Sequence, residues 1–293
     1  MSKLRVGFVG IGNMGSPMAK RVAGAGFPLT AFDVDVARVE RLAAEARIAG
    51  AATGAALAAA SDVVVTMLPT GAVVRDALLG AGGIARSLAR GAIVVDMSSS
   101  DPSGTRELGR GLAELGVALV DAPVSGGVRG AEAGTLAIMI GGEDEAAIAR
   151  VRPVLETMGA RLFRTGPLGS GHAMKALNNY VAAAAFTASS EALLVGKRFG
   201  LAPAVMVEVL NASSGRNFHT DVVLPDHVVA GKFAAGFAIG LMAKDVGIAA
   251  ALAREIGVES PLCQLTSELW NGARDSLGGT ADFTAAYKHW AAR

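Results

Sequence analysis

The chain has 293 residues, 52% of them hydrophobic, and its 27 Lys+Arg against 26 Asp+Glu leave a net charge of +1, which gives no electrostatic reason to expect nucleic acid or an anionic membrane as a partner. Mean hydropathy reaches +0.43, but the excess is alanine spread over helix-like stretches. No run of about 18 uninterrupted apolar residues predicts a membrane span, and the lone Cys263 precludes an internal disulfide and fits a reducing, cytoplasmic setting.

The first predicted element is an apolar strand at 4–9, so close to Met1 that no signal peptide is expected before it. It runs into Gly10-Ile-Gly12-Asn13-Met14-Gly15 and then a helix-like segment at 16–25. That is the context in which G-x-G-x-x-G holds a dinucleotide. Gly10 lets the chain turn sharply, Gly12 lacks the Cβ that would block a pyrophosphate, and Gly15 lets helix and strand pack closely. The new helix aims free N–H groups at the phosphate, with Asn13 and Met14 completing the cofactor loop. A second strand at 29–32 ends at Asp33, 18 positions past Gly15, where a carboxylate can accept the adenosine ribose hydroxyls. Its charge would repel a 2′-phosphate, and Val34 and Asp35 follow rather than an arginine clamp, so NAD is expected over NADP. Arg38 and Arg41 are assigned to the exposed face of the next helix.

Further strands are predicted at 62–66, 92–95, 117–120, 136–140 and 161–163, alternating with helix-like segments that include 36–46, 73–78, 103–115 and 143–158. Asp101-Pro102 opens one helix with a cap and a proline at its first position. This alternation of near-continuous apolar strands with helices predicts an α/β fold over 1–164, a doubly wound parallel sheet covered on both faces. The segment Asp121-Ala-Pro-Val-Ser125-Gly126-Gly127 leaves a strand end, where ligands collect in such sheets. Its hydroxyl and free N–H groups could hold a carboxylate, or it could be a plain turn.

At Gly166-Pro-Leu-Gly-Ser-Gly171 the pattern changes, and nothing breaks a helical reading from His172 to Phe199. Helices are also expected at 204–211, 241–256, 264–273 and 283–292, so 165–293 is read as an all-helical domain opened by one long helix. Its spare apolar face could bury against a second subunit, and a homodimer or homotetramer is expected. Lys175 lies about one turn into the long helix, with Asn179 four positions on and therefore on the same face. A lysine backed by amides at the domain junction is equipped for acid–base work, because burial favours the neutral amine. His172 is read as a helix-start residue. Phe8, Phe186, Trp270 and Trp290 are assigned to packing. His227 and His289 have no partner at metal spacing, so no metal is expected.

Four segments together resemble the β-hydroxyacid dehydrogenases: GFVGIGNMGSPMA from Gly7, DAPVSGG from Asp121, GSGHAMKALNN from Gly169, and LMAKD at 241–245. The resemblance spans nearly the whole chain. It implies a Rossmann-type domain followed by an all-helical domain, as in 6-phosphogluconate dehydrogenase, and NAD-dependent oxidation of a small 3-hydroxy acid, or the reverse reduction. It implies that Lys175 is the catalytic acid/base and that Asn179 with Ser125, Gly126 and Gly127 holds the carboxylate substrate. Lys244 then lies by the cofactor and Asp245 lines the substrate cleft. Segments 66–69 and 96–99 resemble loops over the ribose and nicotinamide, making Leu68, Pro69 and Ser98 cofactor contacts. A 3-hydroxyisobutyrate dehydrogenase-like activity is expected first, with tartronate semialdehyde reduction as the alternative.

Departures from the pattern lie in the pocket-shaping stretch 213–219. Many hydroxyisobutyrate enzymes carry a tryptophan near it, whereas this chain has Phe218 beside His219. Arg216 there could pair with a second anionic group or cap a helix end. G-x-G-H-x-x-K is shared with 6-phosphogluconate dehydrogenase, but that relative has histidine where Asn178 stands and a much longer helical part. Lys175 argues against an imine reductase, and Lys175 with Asn179 argues against a non-catalytic dinucleotide-binding scaffold.

Overall fold

A computed structural model describes residues 3–46 and 48–292. The chain forms two compact units, Met1–Lys175 and Ala176–Arg293. In the first, a sheet is built from β1 (Val6–Val9), β2 (Leu29–Phe32), β3 (Ala49–Gly50), β4 (Val63–Thr66), β5 (Ile93–Asp96), β6 (Ala118–Asp121), β7 (Val124–Ser125), β8 (Leu136–Gly141) and β9 (Gly159–Gly166). Its order is β3-β2-β1-β4-β5-β6-β8-β7, with β9 on β8. The helices between them are α1 (Gly15–Gly24), α2 (Val36–Ala46), α3 (Gly54–Ala59), α4 (Gly71–Leu79), α5 (Pro102–Glu114), α6 (Gly127–Ala133) and α7 (Glu145–Leu155).

The valine-rich strands explain the layering. Side chains alternate along a strand, so Val63, Val65, Ile93 and Val95 join one buried cluster, while Val64 and Val94 join the other. Both faces are therefore covered, as the near-continuous apolar pattern predicts, and each fully buried valine contributes about 1.5–3 kcal/mol. The pairs β1–β2, β1–β4, β4–β5 and β5–β6 are parallel and in register, aligning Val9 with Phe32 and Thr66, Thr66 with Asp96, and Asp96 with Asp121. All these strands thus deliver their carboxyl ends to one edge. The sheet is not wholly parallel, because β8 runs antiparallel to β6 and β7. Through Pro123 the chain runs on from β6 to β7, which opposes the same β8 in the same register, and two-residue β3 and β7 are too short to leave a periodic signal.

The expected boundary fell at 164/165. Strand β9 runs to Gly166, and the long helix α8 (Ser170–Phe199) begins at Ser170. The first compact unit nevertheless extends to Lys175. Its cause is local: the carboxylate of Asp121, on the sheet, accepts the backbone N–H groups of Gly169 and His172 at 2.8 and 2.9 Å. The opening of α8 is bonded to the sheet.

The second unit holds the rest of α8 with α9 (Pro203–Asn211), a π-helix at His219–Val229, α10 (Ile239–Glu255), α11 (Pro261–Leu277) and α12 (Ala286–Ala291). No β-strand occurs in it among the described residues. The buried Phe186 ring centres its core, 5.2–6.1 Å from Phe283, His219, Trp270 and Trp290. The indole N–H of Trp270 donates to Thr187 Oγ1 at 3.1 Å. Aromatic geometry of this kind adds to area burial. Among the described residues no helix is long and apolar enough to cross a membrane.

Candidate active site

The phosphate loop needs its glycines. Gly10 sits at φ +93°, a left-handed conformation, and a Cβ there would strike the carbonyl oxygen of Met67. A Cβ on Gly15 would strike the carbonyl of Gly10. Above Gly12 the space is open: the nearest atom to an added Cβ is the tip of Arg38, at 3.9 Å. A groove of about 460 Å³ starts there, lined by Gly12, Asn13, Ser16, Lys20, Arg38 and Arg41. Asn13 is exposed beside it, whereas Met14 is half-buried against the sheet core.

Asp33 is buried at 8% exposure, and it accepts the N–H groups of Ile11 and Asp35 at 2.7 and 2.9 Å. A carboxylate offers about four acceptor positions, so capacity remains for ribose hydroxyls. Arg38 lies on the exposed face of α2, as the helical pattern predicts. Its guanidinium turns back, with Nε 3.1 Å from Asp35 and Nη1 3.8 Å from Asp33. An open glycine, a groove and a fixed carboxylate fit a dinucleotide.

The loops after β4 and β5 are stitched together by a carboxylate. Asp96 is 1% exposed; its Oδ1 accepts Thr66 Oγ1 at 2.9 Å and the N–H of Ser98 at 3.0 Å, and its Oδ2 accepts Ser100 Oγ at 3.0 Å. Ser98 Oγ in turn accepts the N–H of Leu68 at 2.9 Å. Leu68 is half-buried and Pro69 exposed, but Ser98 is fully buried, and its hydroxyl oxygen serves to hold the neighbouring loop. Beside Asp96 lie Asp121 and His172, both at most 1% exposed. His172 Nδ1 is 2.8 Å from Thr105 Oγ1, and its Nε2 lies 3.6 Å from Asp96 Oδ2. The helix-start histidine is thus part of a buried polar cluster. The sequence reading missed this cluster, although β5 and β6 both end in aspartate at one register.

Lys175, at i+3 from His172 on α8, is half-buried. The loop expected to hold a carboxylate is half-buried at Ser125 and exposed at Gly126 and Gly127, and both glycines have positive φ, +137° and +62°. In the second unit, Asn179 is 7% exposed and its amide Nδ2 donates to Asp245 Oδ2 at 2.6 Å. Asn178 Nδ2 donates to Asn179 Oδ1 at 3.1 Å, and Lys244 Nζ lies 3.2 Å from Asp245 Oδ1. Here the structure brings together Asn179 and Asp245, which the resemblance assigned to the substrate, with Lys244, which it assigned to the cofactor.

Arg216 Nε lies 2.9 and 3.1 Å from the carboxylate oxygens of Asp221, on the first turn of the π-helix. Phe218 is exposed at 67%, whereas His219 is buried among Phe186, Phe218 and Phe283. Burial lowers the His219 pKa to about 4. No group of histidine, cysteine or acidic residues among the described residues could hold a metal ion.

The model for the NAD binding domain of 6-phosphogluconate dehydrogenase matches residues 5–166, and the model described as NAD-binding of NADP-dependent 3-hydroxyisobutyrate dehydrogenase matches 169–290. The chain is 37% identical to 2-(hydroxymethyl)glutarate dehydrogenase of Eubacterium barkeri, over 98% of this chain and 95% of that one. It is also 37% identical to 3-hydroxyisobutyrate dehydrogenase of Pseudomonas aeruginosa, over 91% of each. A solved structure of Mycobacterium tuberculosis 3-hydroxyisobutyrate dehydrogenase with L-serine superposes with a TM-score of 0.90 at 32% identity, covering 98% of this chain and 99% of that one. The first unit is therefore the NAD-binding half of an oxidoreductase that acts on CH–OH groups. The chain belongs to the β-hydroxyacid dehydrogenase family.

Proposed function

We propose that the protein oxidises a small 3-hydroxy acid to its semialdehyde with NAD, Lys175 serving as the acid/base. The names of its relatives share one chemical unit. 3-Hydroxyisobutyrate, L-serine and 2-(hydroxymethyl)glutarate each carry a primary alcohol one carbon beyond the α-carbon of a carboxylate, and they differ in the α-substituent. The observation that carries the reading is Lys175, half-buried on a helix whose opening is bonded to the carboxyl edge of the NAD-binding sheet.

NAD, held by Gly10, Gly12, Gly15 and Asp33, supplies the hydride acceptor. In oxidation the neutral Lys175 amine takes the hydroxyl proton; in reduction its ammonium returns one to the carbonyl oxygen. Asn179, four positions on along the helix and bonded through one amide N–H to Asp245, is assigned to the same oxygen as the resemblance implies. The Ser125 hydroxyl and the N–H groups of Gly126 and Gly127 are assigned the carboxylate, which fixes the reacting carbon. Arg216 has a carboxylate partner in Asp221, which supports a monocarboxylate such as 3-hydroxyisobutyrate over a dicarboxylate. The protein is also assigned a homo-oligomeric state, from the spare apolar face of its long helix, and a cytoplasmic setting, from its single cysteine.

NADH formation with 3-hydroxyisobutyrate, L-serine, glycerate and 2-(hydroxymethyl)glutarate tests the reading, as does tartronate semialdehyde in the reverse direction. The monocarboxylates should lead in kcat/KM, and Lys175→Ala should lower kcat by at least about 10². Near-normal turnover by that variant refutes the assignment.

A further inference from the structure

Three polar residues form one stripe on α8: His172, Lys175 and Asn179, at i, i+3 and i+7. The stripe is fixed at both ends. Asn179 is bonded to Asp245, and His172 is enclosed by Asp96, Asp121 and Thr105. The residue between them is Lys175. The mechanism above uses Lys175 and Asn179 and leaves His172 without a part.

The hydrogens of this cluster can be assigned. Thr105 Oγ1 has one hydrogen and lies 2.8 Å from the carbonyl oxygen of Asp101, which can only accept. Thr105 must then accept from His172 Nδ1–H across their 2.8 Å contact. That bond fixes the orientation of the ring. Its other nitrogen, Nε2, has no hydrogen-bond partner and faces Asp96 Oδ2 at 3.6 Å. That carboxylate is the one that holds Thr66, Ser98 and Ser100, and through Ser98 the N–H of Leu68. On the other side, the backbone N–H of His172 is clamped by Asp121 at 2.9 Å. Gly171 is required for this approach, since a Cβ there would strike the Met139 carbonyl and stand 2.8 Å from Asp121 Oδ2.

We propose that His172 is a positioning residue: wedged between the register-paired carboxylates of Asp96 and Asp121, it sets the first turn of α8, and so Lys175, against the loops at 66–69 and 96–99. This rests on Lys175 being the acid/base. His172 touches neither substrate nor cofactor in this account. It acts by holding the amine in register with the loops assigned to the nicotinamide ribose, where an error of about 1 Å can cost 10²-fold in rate.

A double-mutant cycle tests the inference. His172→Leu keeps the volume and removes both ring nitrogens, and it should lower kcat by about tenfold or more while KM for the hydroxy acid stays within about twofold. His172→Gln, which retains an N–H donor, should recover most of that loss. In a Lys175→Ala background, His172→Leu should cost less than about twofold further, because the residue it positions is gone. Should His172→Leu fail to fold, Thr105→Val carries the test: it removes the acceptor of Nδ1–H and should lower kcat about threefold or more in the native background alone. The inference is overturned by an equal loss in both backgrounds, or by unchanged kcat in whichever of these two variants folds. A fully active Lys175→Ala single variant would instead overturn the proposed function and this inference with it.

Discussion

The two units each bury a histidine, and they treat it in opposite ways. His172 lies among carboxylates and a hydroxyl at the carboxyl edge of the sheet, with one ring nitrogen bonded and the other facing Asp96. His219 lies among aromatic rings in the helical unit, with only a weak polar contact to the backbone of Ala182. The first environment is polar and directional, as a site that must hold groups in place requires. The second is apolar packing that accommodates an imidazole only in its neutral form.

The largest way to sharpen this contrast is through pH. Burial lowers the His219 pKa from 6.5 to about 4, so the folded protein binds fewer protons than the unfolded chain between those values. The stability contribution is complete above pH 6.5 and is lost as pH falls through about 4, amounting to about 3 kcal/mol. His219→Phe should flatten the dependence of urea unfolding free energy on pH across that window. An undiminished slope in the variant would place its origin elsewhere.

The aromatic core does contain one directed bond, from Trp270 to Thr187, whose own hydroxyl donates to Ala183 O at 2.9 Å. Thr187→Val should cost about 1–3 kcal/mol by stranding the buried indole N–H, and Thr187→Ser should cost less. Equal losses in chemical denaturation would mean that packing alone matters there.

At the sheet edge the corresponding probe is Asp33. Removing its carboxylate by Asp33→Ser takes away the charge that opposes a 2′-phosphate and releases Arg38 from one of its two acidic neighbours. The ratio of kcat/KM for NADP over NAD should rise by about tenfold or more, about 1.4 kcal/mol. An unmoved ratio would remove Asp33 from cofactor choice.

Legibility in the sequence followed the same divide. The glycines of the phosphate loop could be read because each answers a local requirement, such as the positive φ of Gly10 or the contact of Gly15 with Gly10. The helix at 36–46 and the Asp101-Pro102 start of α5 were legible for the same reason, since periodicity and caps act within a few residues. The exposed position of Arg38 was legible as well, but periodicity assigns a face and not the direction of a long side chain, which here follows the charges of Asp33 and Asp35. The π-helix at 219–229, with Pro225 inside it, lacks the period that would announce a helix.

The sequence by itself determined the two-part plan, the dinucleotide loop, the carboxylate at the end of β2 and the lysine one turn into the long helix. Each is encoded by residues near one another in the chain, where spacing and conformational preference suffice. Tertiary structure alone decided that Asp96, Asp121, Thr105 and His172 form one cluster, and that Asn179 belongs to Asp245. Those partners are up to 76 positions apart, and what joins them is the register of parallel strands and the docking of helices, which no local pattern records.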